Sequence, residues 1–462
     1  MFSKVRILSA VRVGAGKVAS IRVPFTAIGS HRVSSAAMRI ARPGLPVFAL
    51  FACALACATR GGDPGAGSPT PTVSPDPSAS PTPLGGDETT FLRILDGTLA
   101  RTDGFAQIAA SGGWPIQTPG GFLFARIDDG NGPWRLAGDF DGFTPETMTL
   151  ESGVWWKKIA IAAPVDSKYK FVDGATQFSA DGWSRRYGYD NFGEFSLVAA
   201  GPKHLERFFA ITDGVVAART LRVWVPALAA THHLYVHDGQ NLFDPAAPNG
   251  GWHLQDALMA VAPHTLAVGI DNTTARFAEY THVTDVIGGT VYGGQGDAYA
   301  DFVANTVRPL IQSHFGVPAK AGTMGSSLGG LIALHIAQRH PAEFDFAASL
   351  SGTMGWGSID PGVHNSTMIQ RYAAAGHGSS ALYLDSGGGD GGSPCVDSDS
   401  DLIQDDDPNA SDNYCENLQL ANALVGAGYT ADLQYFVMPG ALHNEAAWAA
   451  RVSRPVQFFD SL

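Results

Sequence analysis

The stretch Gly322-Thr323-Met324-Gly325-Ser326-Ser327-Leu328-Gly329-Gly330 decides the fold. Within it, Gly325-x-Ser327-x-Gly329 has the spacing of a nucleophile elbow, a sharp turn that exposes a serine between a strand and a helix. The apolar run Leu331–Ala337 follows and predicts a buried helix that ends before Pro341. The glycines let the backbone pinch where a Cβ would collide. The pattern therefore predicts a strained Ser327 above helical N–H groups that favour negative charge, although the motif alone also fits a loop without chemistry.

The composition favours an exported, loop-rich protein of about two or three domains. Of the 462 residues, 45% are hydrophobic and only 16% are charged, while glycine (55) and proline (28) are abundant. The formal net charge is -13, and residues 1–57 contain only basic charges. The remainder is thus strongly acidic, which makes nucleic acid or an anionic membrane face a poor partner.

The first 88 residues are predicted to be a leader and a tether. Residues 1–58 contain a basic start at Met38–Arg42 and an apolar run, Leu45–Cys57, that is too short to span a bilayer. This segment resembles a bacterial lipoprotein signal, with Cys57 as the favoured point of lipid attachment; ordinary signal cleavage and release is the alternative. Residues 59–88 are rich in Pro, Ser and Thr and have too few apolar residues to fold.

Residues 89–200 are predicted to form short strands separated by turns. Three segments have strand composition: Phe122–Ile127, Trp155–Ile161 and Lys168–Val172. Trp134–Phe143 and Lys168–Gly174 resemble the immunoglobulin-like modules that precede the catalytic domain of glycogen-branching enzymes, and this resemblance implies an all-β sandwich. Three tryptophans could stack on sugars, although packing in the core or at a domain interface is the favoured interpretation: Trp155, Trp156 and Trp183.

From residue 201 to residue 462 the pattern changes to strands that alternate with helices, which predicts a parallel sheet. The predicted helix runs from Tyr299 to His314, and the predicted strands besides the one before the elbow are Arg219–Pro226, His233–His237, Leu266–Asp271, Phe346–Gly352, Leu382–Asp385 and Ala431–Val437. The expected fold class is therefore α/β in this part of the chain, preceded by the all-β module.

A serine nucleophile needs a base and an orienting acid, which follow it in the order acid and then histidine in this type of sheet. His443 lies in a loop after the last predicted strand, where a base can reach the elbow. The acid should follow the preceding strand. Asp385 ends that strand and Asp390 lies on the loop beyond it, and Asp390 is the favoured candidate.

The oxyanion that forms during acyl transfer needs two N–H donors. One should come from the residue after the nucleophile, which is Leu328, and the other from an earlier loop between a strand and a helix. Asp238-Gly239-Gln240-Asn241 is such a loop, and Gln240 is the expected donor. An ordinary turn before a helix is the alternative interpretation.

Three motifs together resemble the putative esterase family, which includes enterochelin esterases, feruloyl esterases, S-formylglutathione hydrolase and the antigen 85 mycolyltransferases. They are Tyr235-Val-His-Asp-Gly-Gln-Asn-Leu-Phe-Asp244, Gly325-Ser-Ser-Leu-Gly-Gly330 and Gly440-Ala-Leu-His-Asn-Glu445 with Trp448. The resemblance covers roughly residues 205–460 and implies an α/β-hydrolase carboxylesterase that requires no metal. It implies Ser327 as nucleophile, His443 as base, Gln240 and Leu328 as oxyanion donors, and Asp390 as acid through the family's Gly-x-x-acid pattern.

The chain departs from the family directly after Asp390, with an acidic insert between Cys395 and Cys415. In an exported protein these two cysteines are expected to pair. Alternating aspartates across residues 397–407 could present carboxylates to a structural Ca²⁺. Leu402 and Pro408, however, stand where a calcium loop wants glycine and glutamate, so a solvated loop closed by the disulfide is the favoured interpretation.

The resulting expectation is an exported serine carboxylesterase that forms an acyl-enzyme on a small-molecule or carbohydrate-linked ester. Two alternatives remain open: an acyltransferase of the antigen 85 type, and a glycan-binding surface protein without activity. The sequence identifies neither the acyl group nor the alcohol, and it does not give the oligomeric state.

Overall fold

The computed structural model describes residues 85–174, 177–360, 362, 364–389, 395–404 and 411–462. The predicted leader, including Cys57, and residues 59–84 of the predicted tether lie outside these residues. The end of the tether is folded, because a helix begins at Gly85. Among the described residues, the helices are all too short or too polar to cross a membrane.

The described residues of the amino-terminal part form two α-helices and ten strands. The helices are α1 (Gly85–Leu95) and α2 (Arg101–Ala110). The strands are β1 (Ile116–Thr118), β2 (Gly121–Ile127), β3 (Arg135–Gly138), β4 (Glu146–Thr147), β5 (Thr149–Glu151), β6 (Val154–Ile159), β7 (Lys168–Val172), β8 (Phe178–Ser179), β9 (Arg186–Asp190) and β10 (Gly193–Leu197).

In the rest of the chain, strands alternate with helices, as expected. The strands are β11 (His204–Ile211), β12 (Arg219–Val225), β13 (His232–His237), β14 (Thr265–Ile270), β15 (Thr284–Ile287), β16 (Thr290–Gly293), β17 (Lys320–Ser326), β18 (Phe346–Leu350), β19 (Ala381–Ser386) and β20 (Leu433–Val437). The helices are α3 (Leu254–Val261), α4 (Arg276–Glu279), α5 (Gly296–Phe302), α6 (Arg308–Phe315), α7 (Leu328–Arg339), α8 (Met368–Ala375), α9 (Tyr414–Gly426), α10 (Glu445–Ala449) and α11 (Ser453–Asp460).

Eight of these strands form one half of a large sheet, in the order β11-β12-β14-β13-β17-β18-β19-β20. The last six strands in this order are parallel to one another, whereas β12 is antiparallel to both β11 and β14. This is the α/β-hydrolase fold that the sequence predicts. The carboxyl ends of the parallel strands meet at one edge, where loops can bring distant residues together.

Both faces of this sheet are buried, because side chains alternate along each strand. Tyr235 points into a core with α5 to α9, whereas its neighbours Leu234 and Val236 point into a second core with α3 and α11. The predicted helix between residues 299 and 314 is observed as α5 and α6, joined by one π-helical turn at Val303–Val307.

The amino-terminal part is rich in strands but is not all-β. A four-stranded sheet, β1-β2-β6-β5, packs on one face against β3 and β7, through Phe122 and Phe124. Its other face packs against α1 and α2, through Leu123 and Ala125. The strand β2 is therefore buried on both faces, which explains its continuous apolar sequence. The sequence analysis missed these two helices, and the immunoglobulin-like resemblance of this part stays a prediction.

The large sheet runs without interruption from the amino-terminal part into the hydrolase part. β11 pairs with β12 on one side and with β9 on the other, and the order continues through β10, β7, β3 and β4. The predicted boundary between residues 200 and 201 thus falls in a connection between two strands of one sheet. Main-chain hydrogen bonds between β9 and β11 link residues on either side of this boundary, so the two parts share one β-sheet.

Because two histidines on β13 are buried, we expect acid to destabilise the fold. Burial lowers the pKa of His233 to about 4 and the pKa of His237 to about 3, from an ordinary value near 6.5. The unfolded chain therefore binds more protons than the native state between pH 6.5 and pH 4, and stability falls as the pH falls through this window. At pH 4, each histidine is expected to lower the free energy of unfolding by about 2–3 kcal/mol relative to neutral pH.

Urea unfolding at pH 7 and pH 4.5 measures this effect. His233→Leu should reduce the loss of stability between the two pH values, whereas His264→Leu, at an exposed position, should leave it unchanged. An unaltered loss in His233→Leu would contradict the assignment.

Candidate active site

The elbow has the geometry that the sequence predicts. Ser327 lies between β17 and α7 with φ 55° and ψ -126°. Residues with a Cβ rarely adopt a backbone conformation with positive φ. A Cβ at Gly325 would lie 2.4 Å from the carbonyl oxygen of Gly329. Only glycine therefore allows the strand and the helix to approach this closely. Leu328 is the first residue of α7, where N–H groups point out of the helix end.

The turn that carries Gln240 lies beside the elbow. β13 and β17 are adjacent and parallel, and Val236 is paired with Met324. Gly239 and Ser327 each follow three residues later, so both turns leave the sheet at the same level. Gln240 lies in a short 3₁₀ turn, Gly239–Asn241, and its side-chain oxygen accepts a hydrogen bond from the Asn272 N–H at 3.1 Å. The turns that carry the two predicted oxyanion donors, Gln240 and Leu328, therefore follow neighbouring strands at matching positions.

Asp238, the residue before this turn, is held in place by Arg276. Its two carboxylate oxygens accept hydrogen bonds from Nε and Nη2 of Arg276, both at 2.8 Å, and the residue is buried. Burial opposes the ionisation of Asp238, but the charge of Arg276 and its hydrogen bond lower the pKa of this carboxyl group. A bidentate pair of this kind fixes the backbone from which Gly239 and Gln240 follow.

The predicted base, His443, lies in the loop after β20. Its Nδ1 is 2.8 Å from Oδ1 of Asp412, whose side chain is almost completely buried. Asp412 lies directly before α9, in the connection that follows β19. This is the topological position at which the acid of such a site is expected, but the residue differs from both sequence candidates.

The structure gives the two candidate acids other places. Asp385, at the end of β19, is fully buried, and its Oδ1 accepts a hydrogen bond from Nε of Arg451 at 2.9 Å. Burial raises the pKa of Asp385 to about 6, in spite of Arg451. Asp390 lies outside the described residues. Among the described residues, the carboxylate that contacts His443 is Asp412 and not Asp385. The sequence assignment of Asp390 as the acid stays a prediction.

A chain of contacts connects Asp412 to the elbow. Ser327 donates its N–H to the carbonyl of Leu350 at 3.0 Å, and the next residue, Ser351, donates its hydroxyl to Oδ2 of Asp412 at 2.7 Å. Gly387 also donates its N–H to Oδ2 of Asp412. The backbone of Ser327 and the side chains of Asp412 and His443 thus belong to one contact network at the carboxyl edge of the sheet.

Strained backbone is concentrated in this network. Four non-glycine residues with positive φ lie in it: Ser327, Ser351, Asp412 and Asn413; a fifth, Asp238, begins the adjacent turn. Such conformations cost free energy and persist only where the surrounding structure enforces them, which is typical of functional sites.

The cysteine pairing is confirmed, since Cys395 and Cys415 form a disulfide. It closes the acidic insert and ties it to the start of α9, three residues after Asp412. In the described part of the insert, one carboxylate oxygen each of Asp397, Asp399 and Asp401 lies within 4.8 Å of the others. Asp405, Asp406 and Asp407 lie outside the described residues. Calcium binding by this loop stays a prediction.

Three other histidines after Ser327 have side-chain partners, and His364 is exposed. His335 is buried on α7 and contacts Asp297, and His340 contacts Asp301, both at 2.8 Å. His377 pairs with Asp432. The three tryptophans considered for glycan binding are partly buried against the cores of the amino-terminal part: Trp155, Trp156 and Trp183.

The fold and this network define an α/β-hydrolase with an elbow serine, a partly exposed histidine paired with a buried aspartate, and an adjacent turn. The sequence model of the family described as putative esterase matches residues 219–459, which is more than half of the chain. The chain therefore belongs to the putative esterase family. The matched segment contains every residue of the network described above.

Individual relatives match shorter segments of the chain than the family model does. YbbA, an uncharacterized protein of Bacillus subtilis, is 30% identical over 144 residues, which are 29% of this chain and 55% of the relative. The siderophore triacetylfusarinine C esterase of Aspergillus fumigatus is 39% identical over 70 residues, or 15% of this chain and 24% of that enzyme. The chain thus spans about half the length of the first relative and a quarter of the second.

Among solved structures, the enterobactin esterase of Shigella flexneri is similar, with a TM-score of 0.39 and 14% identity. The match covers 73% of this chain and 92% of that one.

Proposed function

We propose that this chain is a serine carboxylesterase that hydrolyses esters through an acyl-enzyme. The observation that carries the proposal is the hydrogen bond between His443 and the buried Asp412, in a network that includes the backbone of the elbow serine. A carboxylate on Nδ1 fixes the tautomer of the imidazole and leaves Nε2 to exchange protons with the nucleophile. Asp412 replaces Asp390 as the acid in this assignment.

In the proposed mechanism, His443 accepts the proton of the Ser327 hydroxyl while the oxygen attacks the ester carbonyl. The oxyanion is stabilised by the N–H groups of Leu328 and Gln240, at the positive end of α7. The alcohol leaves with the proton from His443, and a water molecule activated by the same imidazole then hydrolyses the acyl-enzyme. Each step uses only residues of this chain.

The proposed substrate is a small-molecule or carbohydrate-linked ester, in line with the family. We further propose that the protein is exported, with Cys57 as a possible site of lipid attachment. The Cys395–Cys415 disulfide supports export, because disulfides persist chiefly in oxidising compartments.

Covalent labelling tests the proposal. A fluorophosphonate probe should phosphonylate Ser327 in the folded protein, with mass spectrometry of the digest locating the adduct. The same preparation should hydrolyse at least one ester in a panel of short p-nitrophenyl, feruloyl, acetyl-xylan and siderophore esters. A reaction with an added sugar acceptor distinguishes transfer from hydrolysis, because transfer yields an acylated sugar whereas hydrolysis yields the free acid. A folded protein that neither reacts at Ser327 nor hydrolyses any ester would overturn the proposal.

A further inference from the structure

One short segment, from Glu445 to Arg451, contacts three separate parts of the proposed active site. Glu445, Trp448 and Arg451 are spaced three residues apart along α10 and the turn after it, so they lie near one face. Their exposures are 1%, 3% and 1%. Two charged side chains buried to this degree need defined partners.

Glu445 contacts the oxyanion turn. Its Oε1 accepts a hydrogen bond from Nδ2 of Asn241 at 3.3 Å, and its Oε2 accepts one from Nδ2 of Asn249 at 2.9 Å. Asn241 is the direct neighbour of Gln240. The carboxylate therefore ties the turn that supplies an oxyanion donor to the loop that carries His443, two residues before Glu445.

Trp448 lies behind the base. Its ring packs edge-on against the ring of His443, with the centroids 5.1 Å apart. Its Nε1 donates a hydrogen bond to Oγ of Ser351 at 3.1 Å. The indole thus limits the tilt of the imidazole on the side away from solvent.

Arg451 contacts the acid. Its Nη2 donates hydrogen bonds to Oγ of Ser351 and to Oδ2 of Asp412, the latter at 3.2 Å, while its Nε donates to Asp385. One guanidinium therefore lies between two buried carboxylates. Asp412 keeps its other oxygen for His443, and Tyr383 donates to the remaining oxygen of Asp385 at 3.0 Å.

We propose that Glu445 and Arg451 are positioning residues of the esterase: Glu445 holds the oxyanion turn, and Arg451 holds Asp412 in the orientation that faces His443. This inference rests on the proposed function. The two residues act through different groups, so they have different kinetic signatures.

Arg451→Met should lower kcat about 100-fold and leave KM within about two-fold, because the acid loses its orientation while the substrate contacts remain. The acid limb of the pH profile of kcat/KM should move to higher pH. The charged or polar groups that face Asp412 are His443, Arg451 and Ser351, and Asp385 lies across the guanidinium. Without the cation, less positive charge faces the pair of Asp412 and His443, so the protonated imidazole, which cannot act as base, persists to a higher pH. Arg451→Lys keeps the charge and should restore the position of the limb.

Glu445→Gln should lower kcat about ten-fold and leave the pH profile unmoved, because it loosens an oxyanion donor and leaves the pair of acid and base intact. Arg454→Met and Glu343→Gln are matched controls away from the site, and both should retain the wild-type kcat. Urea unfolding of each variant reports whether it is folded. If Arg451→Met does not fold, Arg451→Lys and Glu445→Gln still decide the question.

Labelling of Ser327 in the wild-type protein is independent of these variants, so failure of the proposed function and failure of this inference are distinguishable. The inference is overturned if folded Arg451→Met keeps the wild-type kcat and pH profile, if folded Arg451→Lys, which lacks the planar fork that contacts both carboxylates, keeps the wild-type kcat, or if Glu445→Gln moves the acid limb instead of lowering kcat.

Discussion

Replacing Asp412 by asparagine is expected to lower kcat about 10⁴-fold while the protein stays folded. An asparagine has nearly the same shape as the aspartate, so the contacts of Ser351 and Gly387 with Oδ2 have a neutral counterpart. The amide cannot stabilise an imidazolium, and it favours the wrong tautomer of His443. The rate of p-nitrophenyl ester hydrolysis at saturating substrate, with urea unfolding as a check on the fold, measures the effect.

Asp390→Asn is the matched control, because it makes the same chemical change at the acid that the sequence favoured. It is expected to keep kcat within about two-fold of wild type. The assignment would be refuted by the reverse result, with Asp390→Asn inactive and Asp412→Asn active. A loss of activity in both variants would indicate instead that the loop after β19 acts as a unit.

The sequence did not suggest Asp412 as the acid, because the insert lengthens the loop after β19. The predicted candidates, Asp385 and Asp390, lie near the start of this connection, whereas Asp412 lies at its end. The structure places Ser411–Asn413, directly before α9, at the carboxyl edge of the sheet. A signal was available, since Asp412 is the last aspartate before an amphipathic helix that contains a cysteine. Without the pairing of Cys395 and Cys415, however, nothing in the sequence shows that residue 412 approaches His443.

The local features were predictable because short-range physics decides them. The Gly-x-Ser-x-Gly spacing dictates the elbow at Ser327, and alternation or apolar runs dictate strands such as β12 and β13. The contacts of Glu445 and Arg451 depend instead on the pairing of distant segments. The two helices α1 and α2 were missed for a related reason, since their apolar residues have meaning only against the outer face of β2.

The sheet that crosses residue 200 leads to the second large expected effect. A chain that begins at residue 201 should fail to yield soluble, folded protein, although the family match begins only at residue 219. Removal of β9 leaves the backbone of β11 as an open sheet edge, which promotes aggregation. It also removes Tyr187 from the core beneath α3 and α11.

Two buried charges of β11 would lose their partners at the same time. Glu206 pairs with Arg185 at 2.8 Å; although burial opposes ionisation, a hydrogen bond from His204 and the charge of Arg185 lower the pKa of Glu206 to about 2. Arg207 donates Nε to the carbonyl of Ser184 and pairs with Glu194 at 3.0 Å. Breaking a buried pair costs about 3–5 kcal/mol, and two such losses are comparable to the whole stability of a domain.

A chain that begins at Gly85 is the control, because it keeps every contact described above. We expect it to be soluble, to unfold cooperatively in urea and to react with the fluorophosphonate probe at Ser327. Replacing both Glu206 and Arg207 by alanine in this longer chain separates the effect of the charges from that of the strand edge, and it should lower the urea midpoint without abolishing folding. If the chain from residue 201 were itself soluble, cooperatively folded and reactive at Ser327, the shared sheet would contribute little, and the amino-terminal part would be an independent module.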